Sequence, residues 1–303
     1  MKITVHHSIA DLYHTLGLPV SGEIDFTILS IPAIHPVIPF QSPHLRADYF
    51  SFILTKDGSG TYFLDDHQFP FGPESFYFTN PGHVKRYNLD ESEQALIIVL
   101  SEFFLTEYVH PNIFHEFPFL LAEMAPPATL KKPDFAEFER LYTQIEAEAE
   151  KPSAYQQNIL GSLILVLLYK MKALFWQNYN PIAEGNTTSR IVQSFKKILE
   201  SEFRTILQSE SPAGILQVRQ IADQLNIHPN YLNAVIKSKT GRPVSDWIAK
   251  RTVSVAKSLL LNTALTTKEI AFRLGFSEPT HFSRFFKNQT RLSPGEYRSQ
   301  TRR

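Results

Sequence analysis

The chain has 303 residues, 43% apolar and 20% charged, which suits about two globular domains. It contains no cysteine, so disulfides, thiolate catalysis and thiolate zinc sites are excluded. The formal net charge is zero, yet from Arg190 onward 19 Lys and Arg face 8 Asp and Glu, while residues 1 to 189 reverse that with 11 against 22. A basic end on an acidic body predicts that only the basic end meets phosphates; the bland reading is a solvated basic face with no partner. The start, MKITVHHSIADLY, lacks a basic segment followed by an apolar run, so no secretory signal is expected. The most apolar window, Ile159 to Tyr169, is about half the length that spans a bilayer, and Lys170 and Lys172 follow it. A soluble, cytoplasmic protein without a membrane partner is the expectation.

Residues 1 to 130 read as short strands separated by turns. Tyr49 to Thr55 alternates, GSG at 58–60 marks a turn, Tyr62 to Leu64 continues and Asp65-Asp66 turns again. Glu74 to Thr79 is strand-like before Pro81-Gly82, and Ala95 to Leu100 is a further strand. This spacing predicts an antiparallel barrel or jelly roll. Between Pro133 and Tyr179 the period changes to 3.6, predicting two helices split near Lys151-Pro152. The first carries Phe135, Phe138, Leu141, Tyr142 and Ile145; the second carries Ile159, Leu163, Val166 and Leu167 on more than one face. Its surplus apolar surface has to pack on the barrel or on a second copy of the chain. GNTTS at 185–189 reads as a linker.

Beyond it the chain repeats itself. Gln217 to Lys237 and Thr267 to Lys287 each give Ile-Ala, then Leu, a short turn, a proline and a helix ending in Lys, with a one-residue adjustment in the turn. Helices are predicted at 190–207, 217–224, 229–239, 244–261, 267–274 and 279–288, with a last turn after Pro294. Pro229 and Pro279 fall at the first helical position, where a missing N–H costs nothing. Leu232, Val235 and Ile236 form one apolar stripe and Phe282, Phe285 and Phe286 the other. The opposite faces carry Asn230, Asn233, Ala234 and Lys237, and Thr280, Ser283, Arg284 and Lys287. Asn matches adenine, Arg matches guanine, and Lys serves phosphate or base, so those polar residues are the candidate DNA contacts. One such helix alone reads better as an ordinary solvated face; a matched pair in a basic domain reads as two helix-turn-helix units.

Residues 190–298 resemble the DNA-binding region of the AraC/XylS transcription regulators. The matching residues are Lys237, Gly241, Arg251, Ala256, Leu259-Leu260, Ile270-Ala271, Gly275-Phe276, His281-Phe282-Ser283, Phe286-Lys287, Ser293-Pro294 and Tyr297-Arg298. The family usually has an aromatic residue and glycine where this chain has Thr290-Arg291, so either Arg291 bears backbone strain or the turn differs. Residues 1–130 resemble the cupin-like sensor domains that precede such regions. The resemblance implies three parts: an all-β cupin-like sensor barrel at 1–130, a helical dimerisation element at 131–184 and an all-α double helix-turn-helix domain at 185–303. It implies a sequence-specific regulator that is not an enzyme and needs no cofactor. Its partners would be double-stranded DNA, a small-molecule effector, a second copy of the chain and RNA polymerase.

For the effector, Arg46, Lys85 and Tyr87 are the candidate contacts, with Tyr87 closing the PG-x-x-x-x-Y pattern of sugar-sensing relatives; the alternative for all three is a solvated barrel rim. The rival reading is a cupin-type metalloenzyme fused to a DNA-binding domain. His35, His44, His67 and His83 would be its ligands, but no His-x-His occurs, and Lys85 stands where a metal-binding cupin carries its second-motif histidine. No metal is therefore expected.

Overall fold

A computed structural model describes residues 3–111, 113–122, 125–176, 187–208, 214 and 216–301. The chain divides into two compact units, Met1–Pro181 and Ile182–Arg303.

The first unit is one sheet built on two long strands. In chain order it has β1 (Ile3–His6), α1 (Ile9–Leu16), β2 (Phe26–Ser30), α2 (Ile31–Ile34), β3 (Phe40–Gln41), β4 (His44–Ala47), β5 (Phe50–Leu64), β6 (His67–Phe71), β7 (Ser75–Thr79) and β8 (Val84–Leu100). Then come α3 (Glu102–Phe104), a π-helical turn at Leu105–Val109, α4 (Ile113–Glu116), a 3-10 turn at Pro118–Leu121 and β9 (Ala128–Thr129). β5 and β8 pair along almost their whole length. The remaining strands flank that pair: β2, β3 and β4 against β8, and β6 and β7 against β5. All described pairs are antiparallel except β1 with β4, and the end strands β1 and β9 pair with other strands rather than each other. The expected turn at GSG 58–60 is instead a bulged stretch inside β5, with register shifts between Thr55 and Gly60. Glycine is read from sequence as a turn signal, and a bulge uses the same backbone freedom without reversing the chain.

Both faces of this sheet are covered. Phe50, Phe52, Leu54, Phe76, Phe78, Ile98 and Leu100 face one core, whereas Ile53, Tyr62, Leu64, Tyr77 and Leu89 belong to another. Two-residue periodicity sorts them within each half of β5, and across the bulged stretch between Thr55 and Gly60 the parity changes, so Tyr62 and Leu64 join Ile53 rather than Leu54. The first core is completed by α5 (Lys132–Ala149) and α6 (Gln156–Phe175), through Phe135, Phe138, Tyr142 and Ile145 and through Leu160, Ile164, Leu167, Leu168 and Met171. The described part of the helical element expected at 131–184, as far as Trp176, thus shares one core with the sheet, while residues 177–184 lie outside the described residues. α6 meets the membrane-span criterion by length and composition, unlike the shorter window read from sequence, yet its inner stripe packs in this core. Gly161 permits the approach: a Cβ there would lie 2.1 Å from the Tyr108 carbonyl oxygen.

Among the described residues the elements of the second unit are all helices: α7 (Thr187–Gln208), α8 (Val218–Gln224), α9 (Pro229–Thr240), α10 (Val244–Asn262), α11 (Thr267–Arg273), α12 (Pro279–Thr290) and α13 (Pro294–Thr301). Thr187 to Ser189 of the expected linker are the first turn of α7, while Gly185 and Asn186 lie outside the described residues. Ile221, Ala222, Leu232, Ile236, Ala256, Leu260, Ile270, Ala271, Phe282 and Phe286 have no exposed surface and form the centre of one core.

Candidate nucleic-acid interface and cavity

The sequence repeat is also a structural one. In the first turn Asn226 takes φ 53 and the Ile227 N–H donates to the Ala222 carbonyl at 3.1 Å; in the second, Gly275 takes φ 84 and the Phe276 N–H donates to the Ala271 carbonyl at 2.9 Å. One residue, His228, then precedes Pro229, whereas Ser277 and Glu278 precede Pro279, which locates the one-residue adjustment. The helix ends match as well. The Thr240 hydroxyl donates to the Ile236 carbonyl at 2.7 Å and Thr290 to that of Phe286 at 2.9 Å. After them Gly241 and Arg291 occupy the same left-handed conformation, φ 77 and φ 68. The departure at Arg291 therefore keeps the turn and takes the strain.

Five of the seven candidate contacts stand exposed on the outer faces of α9 and α12: Asn230, Lys237, Thr280, Arg284 and Lys287. Asn233 and Ser283 are half-buried and already engaged. Asn233 Oδ1 accepts the Val244 N–H at 3.0 Å, capping α10, whose own N-cap residue, Pro243, has no side chain able to do so. The Ser283 hydroxyl donates to the Pro279 carbonyl one turn back at 2.9 Å. Phe285, assigned to the apolar stripe, is only half-buried and rests on Phe276. Tyr231, 48% exposed, stands two residues after Pro229, as exposed His281 does after Pro279; laying one repeat on the other singles out both, and outer-face polarity alone does not.

Not all of the positive charge faces outward. Arg251 is buried and bonded to Glu200 at 3.0 Å. Arg273 donates to the carbonyls of Ile206 and Leu207 and Arg298 to those of Leu260 and Leu265, each between 2.7 and 3.2 Å. Arg242 lies over the Trp247 ring, 4.3 Å from its centroid. These four arginines hold helices in place.

The first unit holds a cavity of about 70 Å³ between its sheet, α1 and α2. Neighbouring strands supply it in rows: Thr79, Ser51 and Val99 across β7, β5 and β8, then Tyr77, Ile53 and Ile97. Tyr62 and Tyr87, a cross-strand pair, line it further along together with Lys85, and Leu12, Leu16, Ile31 and Ile34 close the other side. Of the three expected effector contacts, Lys85 and Tyr87 line the cavity. Arg46 does not, because its neighbour Leu45 faces inward and successive strand residues face opposite ways.

Lys85 is fully enclosed. Its ammonium donates to the Thr79 hydroxyl at 2.7 Å and lies 5.3 Å from the Tyr49 ring centroid, and burial pulls its pKa down to about 7. The Tyr49 hydroxyl meets His6 Nδ1 at 2.8 Å and the Tyr87 hydroxyl meets His35 Nε2 at 2.7 Å. The Tyr62 hydroxyl is buried with no partner. Burial raises the pKa values of these phenols and lowers that of His35, so all are neutral near pH 7. His83 bonds Asp65 at 2.8 Å, and among the described residues no group of three His, Asp or Glu is placed to hold a metal ion.

Residues 221–300 match the family model described as Helix-turn-helix domain. Over 87 residues the chain is 34% identical to YtdP of Bacillus subtilis strain 168, an uncharacterized HTH-type transcriptional regulator, covering 29% of this chain and 11% of that one. It is 23% identical to the arabinose operon regulatory protein of Salmonella typhimurium, over 81% of this chain and 82% of its relative. Among solved structures it is similar to the C-terminal domain of AraT, a response regulator from Geobacillus stearothermophilus, at 30% identity and a TM-score of 0.33, covering 38% of this chain and 88% of that one.

Proposed function

Because the chain belongs to the AraC/XylS family of helix-turn-helix transcription regulators, we propose that it binds an operator in double-stranded DNA through α9 and α12 and that a small molecule in the cavity of its first unit, a cupin-like sensor, governs that binding. The observation that carries this reading is the paired geometry of the two helix-turn-helix units, with equivalent turns, caps and outward polar faces. Arg284 and Asn230 are the base-reading residues, Thr280 adds a hydroxyl, and Lys237 and Lys287 meet phosphate. Asn233 divides its amide between capping α10 and the groove. The effector acts by reciprocal coupling: whatever occupies the cavity changes the free energy of the DNA-competent arrangement, and DNA changes effector affinity by the same factor.

The regulator works in the cytoplasm as a homodimer and acts on RNA polymerase at its promoter. Support for the dimer comes from α6, where Tyr155, Ile159, Val166 and Tyr169 are exposed by 40% or more along one stripe while the opposite face is buried. Leu163 packs partly on the unit's own core, so Ile159 and Val166 are the better probes. Residues 186–303 alone should bind DNA with an affinity that falls steeply with salt. A folded fragment that ignores DNA at low salt removes the reading. Charged substitutions at Ile159 and Val166 should convert a dimeric 1–180 fragment to a monomer, and a wild-type fragment monomeric across the micromolar range removes the dimer.

A further inference from the structure

We propose that the cavity of the first unit takes a small organic monoanion, a carboxylate on a compact apolar body, with the Lys85 ammonium paired to the carboxylate. The inference rests on the reading of that cavity as the regulatory site and adds the chemical class of its occupant. Two demands set the class. Leu12, Leu16, Ile31, Ile34, Ile53 and Ile97 offer an apolar body only apolar surface. Against that wall stands one cation, Lys85, bonded to a neutral hydroxyl, and the described residues bring no carboxylate to it. A buried ammonium without a counterion is the costliest group a cavity can hold, and an arriving anion relieves it. The unpartnered Tyr62 hydroxyl lines the same cavity and is a ready donor for an anion. A sugar fits poorly: its hydroxyls need many partners, while the Tyr49 and Tyr87 hydroxyls are already bonded to His6 and His35. The small volume calls for a compact body.

Pairing also has a proton signature. With the Thr79 hydroxyl as its hydrogen-bond partner, buried Lys85 loses its proton near pH 7, and an anion beside it restores the charged form. The other titratable groups facing it are His6, held lower by burial, and the phenols of Tyr49, Tyr62, Tyr77 and Tyr87, held higher, so Lys85 alone changes charge at pH 8.

The test is calorimetric titration of the full-length protein with acids from acetate through isovalerate to benzoate, and with isoamyl and benzyl alcohol as neutral counterparts. It is run at pH 8 in two buffers of different ionisation enthalpy. At least one acid should bind about ten- to a hundredfold more tightly than its alcohol, with uptake approaching one proton. Lys85→Met should abolish both the preference and the uptake while leaving alcohol binding in place. Alcohols that bind as well as acids, no binding by any acid of the series, or an unchanged preference in Lys85→Met overturns the proposal. The wild-type preference and proton uptake decide the matter even if the variant does not fold. Operator binding measured on the same protein separates the two levels: intact DNA binding that responds to a ligand of another class leaves the regulator reading standing and removes only the carboxylate.

Discussion

Arg291 offers an internally controlled test of backbone strain. It ends α12 at φ 68, ψ −8, where Gly241 ends α9 at φ 77, ψ −6, and both N–H groups donate 2.8 Å bonds to the lysine four residues earlier. A side chain with a Cβ in this conformation costs roughly 1–2 kcal/mol. Glycine removes that cost but gives the unfolded chain more freedom, returning about 0.5–1 kcal/mol. Since Arg291 is exposed, little packing is lost. Arg291→Gly should therefore stabilise the second unit by about 0.5–1 kcal/mol, a rise in Tm of roughly 2–6 °C. Arg291→Ala relieves nothing and should stay near wild type, while Gly241→Ala creates the same strain and should cost about 1 kcal/mol. Thermal and urea unfolding of residues 186–303 read all three variants. If Arg291→Gly is no more stable than Arg291→Ala, or Gly241→Ala is neutral, the left-handed conformation is not where the energy lies.

Arg284→Ala should lose about 1–3 kcal/mol on the operator and flatten preference at one base pair, whereas Lys287→Ala should weaken all sequences together and lower the salt slope by roughly one; equal losses of Arg284→Ala on operator and random DNA would make it a phosphate contact. Asn233→Ala should destabilise the second unit by about 1 kcal/mol by orphaning the Val244 N–H, and Asn233→Asp should restore stability but not DNA affinity, as urea midpoints and gel shifts will report. Folded Lys85 loses its proton near pH 7 but the unfolded residue holds it to about 10.5, so stability of residues 1–181 should rise with pH between those values, by up to about 1.4 kcal/mol per unit. Lys85→Met should flatten that rise and be more stable than wild type at pH 6; a wild-type profile that is level from pH 7 to 10 would show Lys85 to be solvated.

The helical unit was legible almost residue by residue because its determinants are local: 3.6-residue periodicity, prolines at first helical positions and a repeat that counts its own register. What stayed hidden there depends on partners distant in sequence. Nothing near Arg273 announces the end of α7, and nothing near Asn233 announces that Pro243 needs help. Formal charge likewise overstated the surface available to phosphate, since Arg242, Arg251, Arg273 and Arg298 are occupied within the fold. In the first unit, turn residues located Asp65-Asp66 and the Lys151-Pro152 break, but GSG at 58–60 carried the same signal for a bulge as for a reversal. Lys85 and Tyr87, picked out by motif position, line the cavity, whereas Arg46 does not, a difference that turns on the strand's facing and not only its existence. Tyr62, the cavity's unsatisfied donor, carried no sequence signal beyond β propensity.

α10 leaves little slack between α9 and α12. Two flexibly tethered binding modules search for each other's sites at an effective concentration set by their linker, and tolerate a range of spacings. Here 19 residues of continuous helix, about 28 Å at 1.5 Å per residue, follow α9 after only three residues, with Asn233 pinning the junction. With α9 and α12 both reading DNA as proposed, the pair would be a bivalent ligand with a rigid spacer: its avidity should be full when two subsites lie at one separation on one side of the duplex and collapse elsewhere. Inserting about five base pairs, half a turn, between the subsites should cost nearly the whole contribution of the second unit, while a full turn of about ten restores the facing but not the distance.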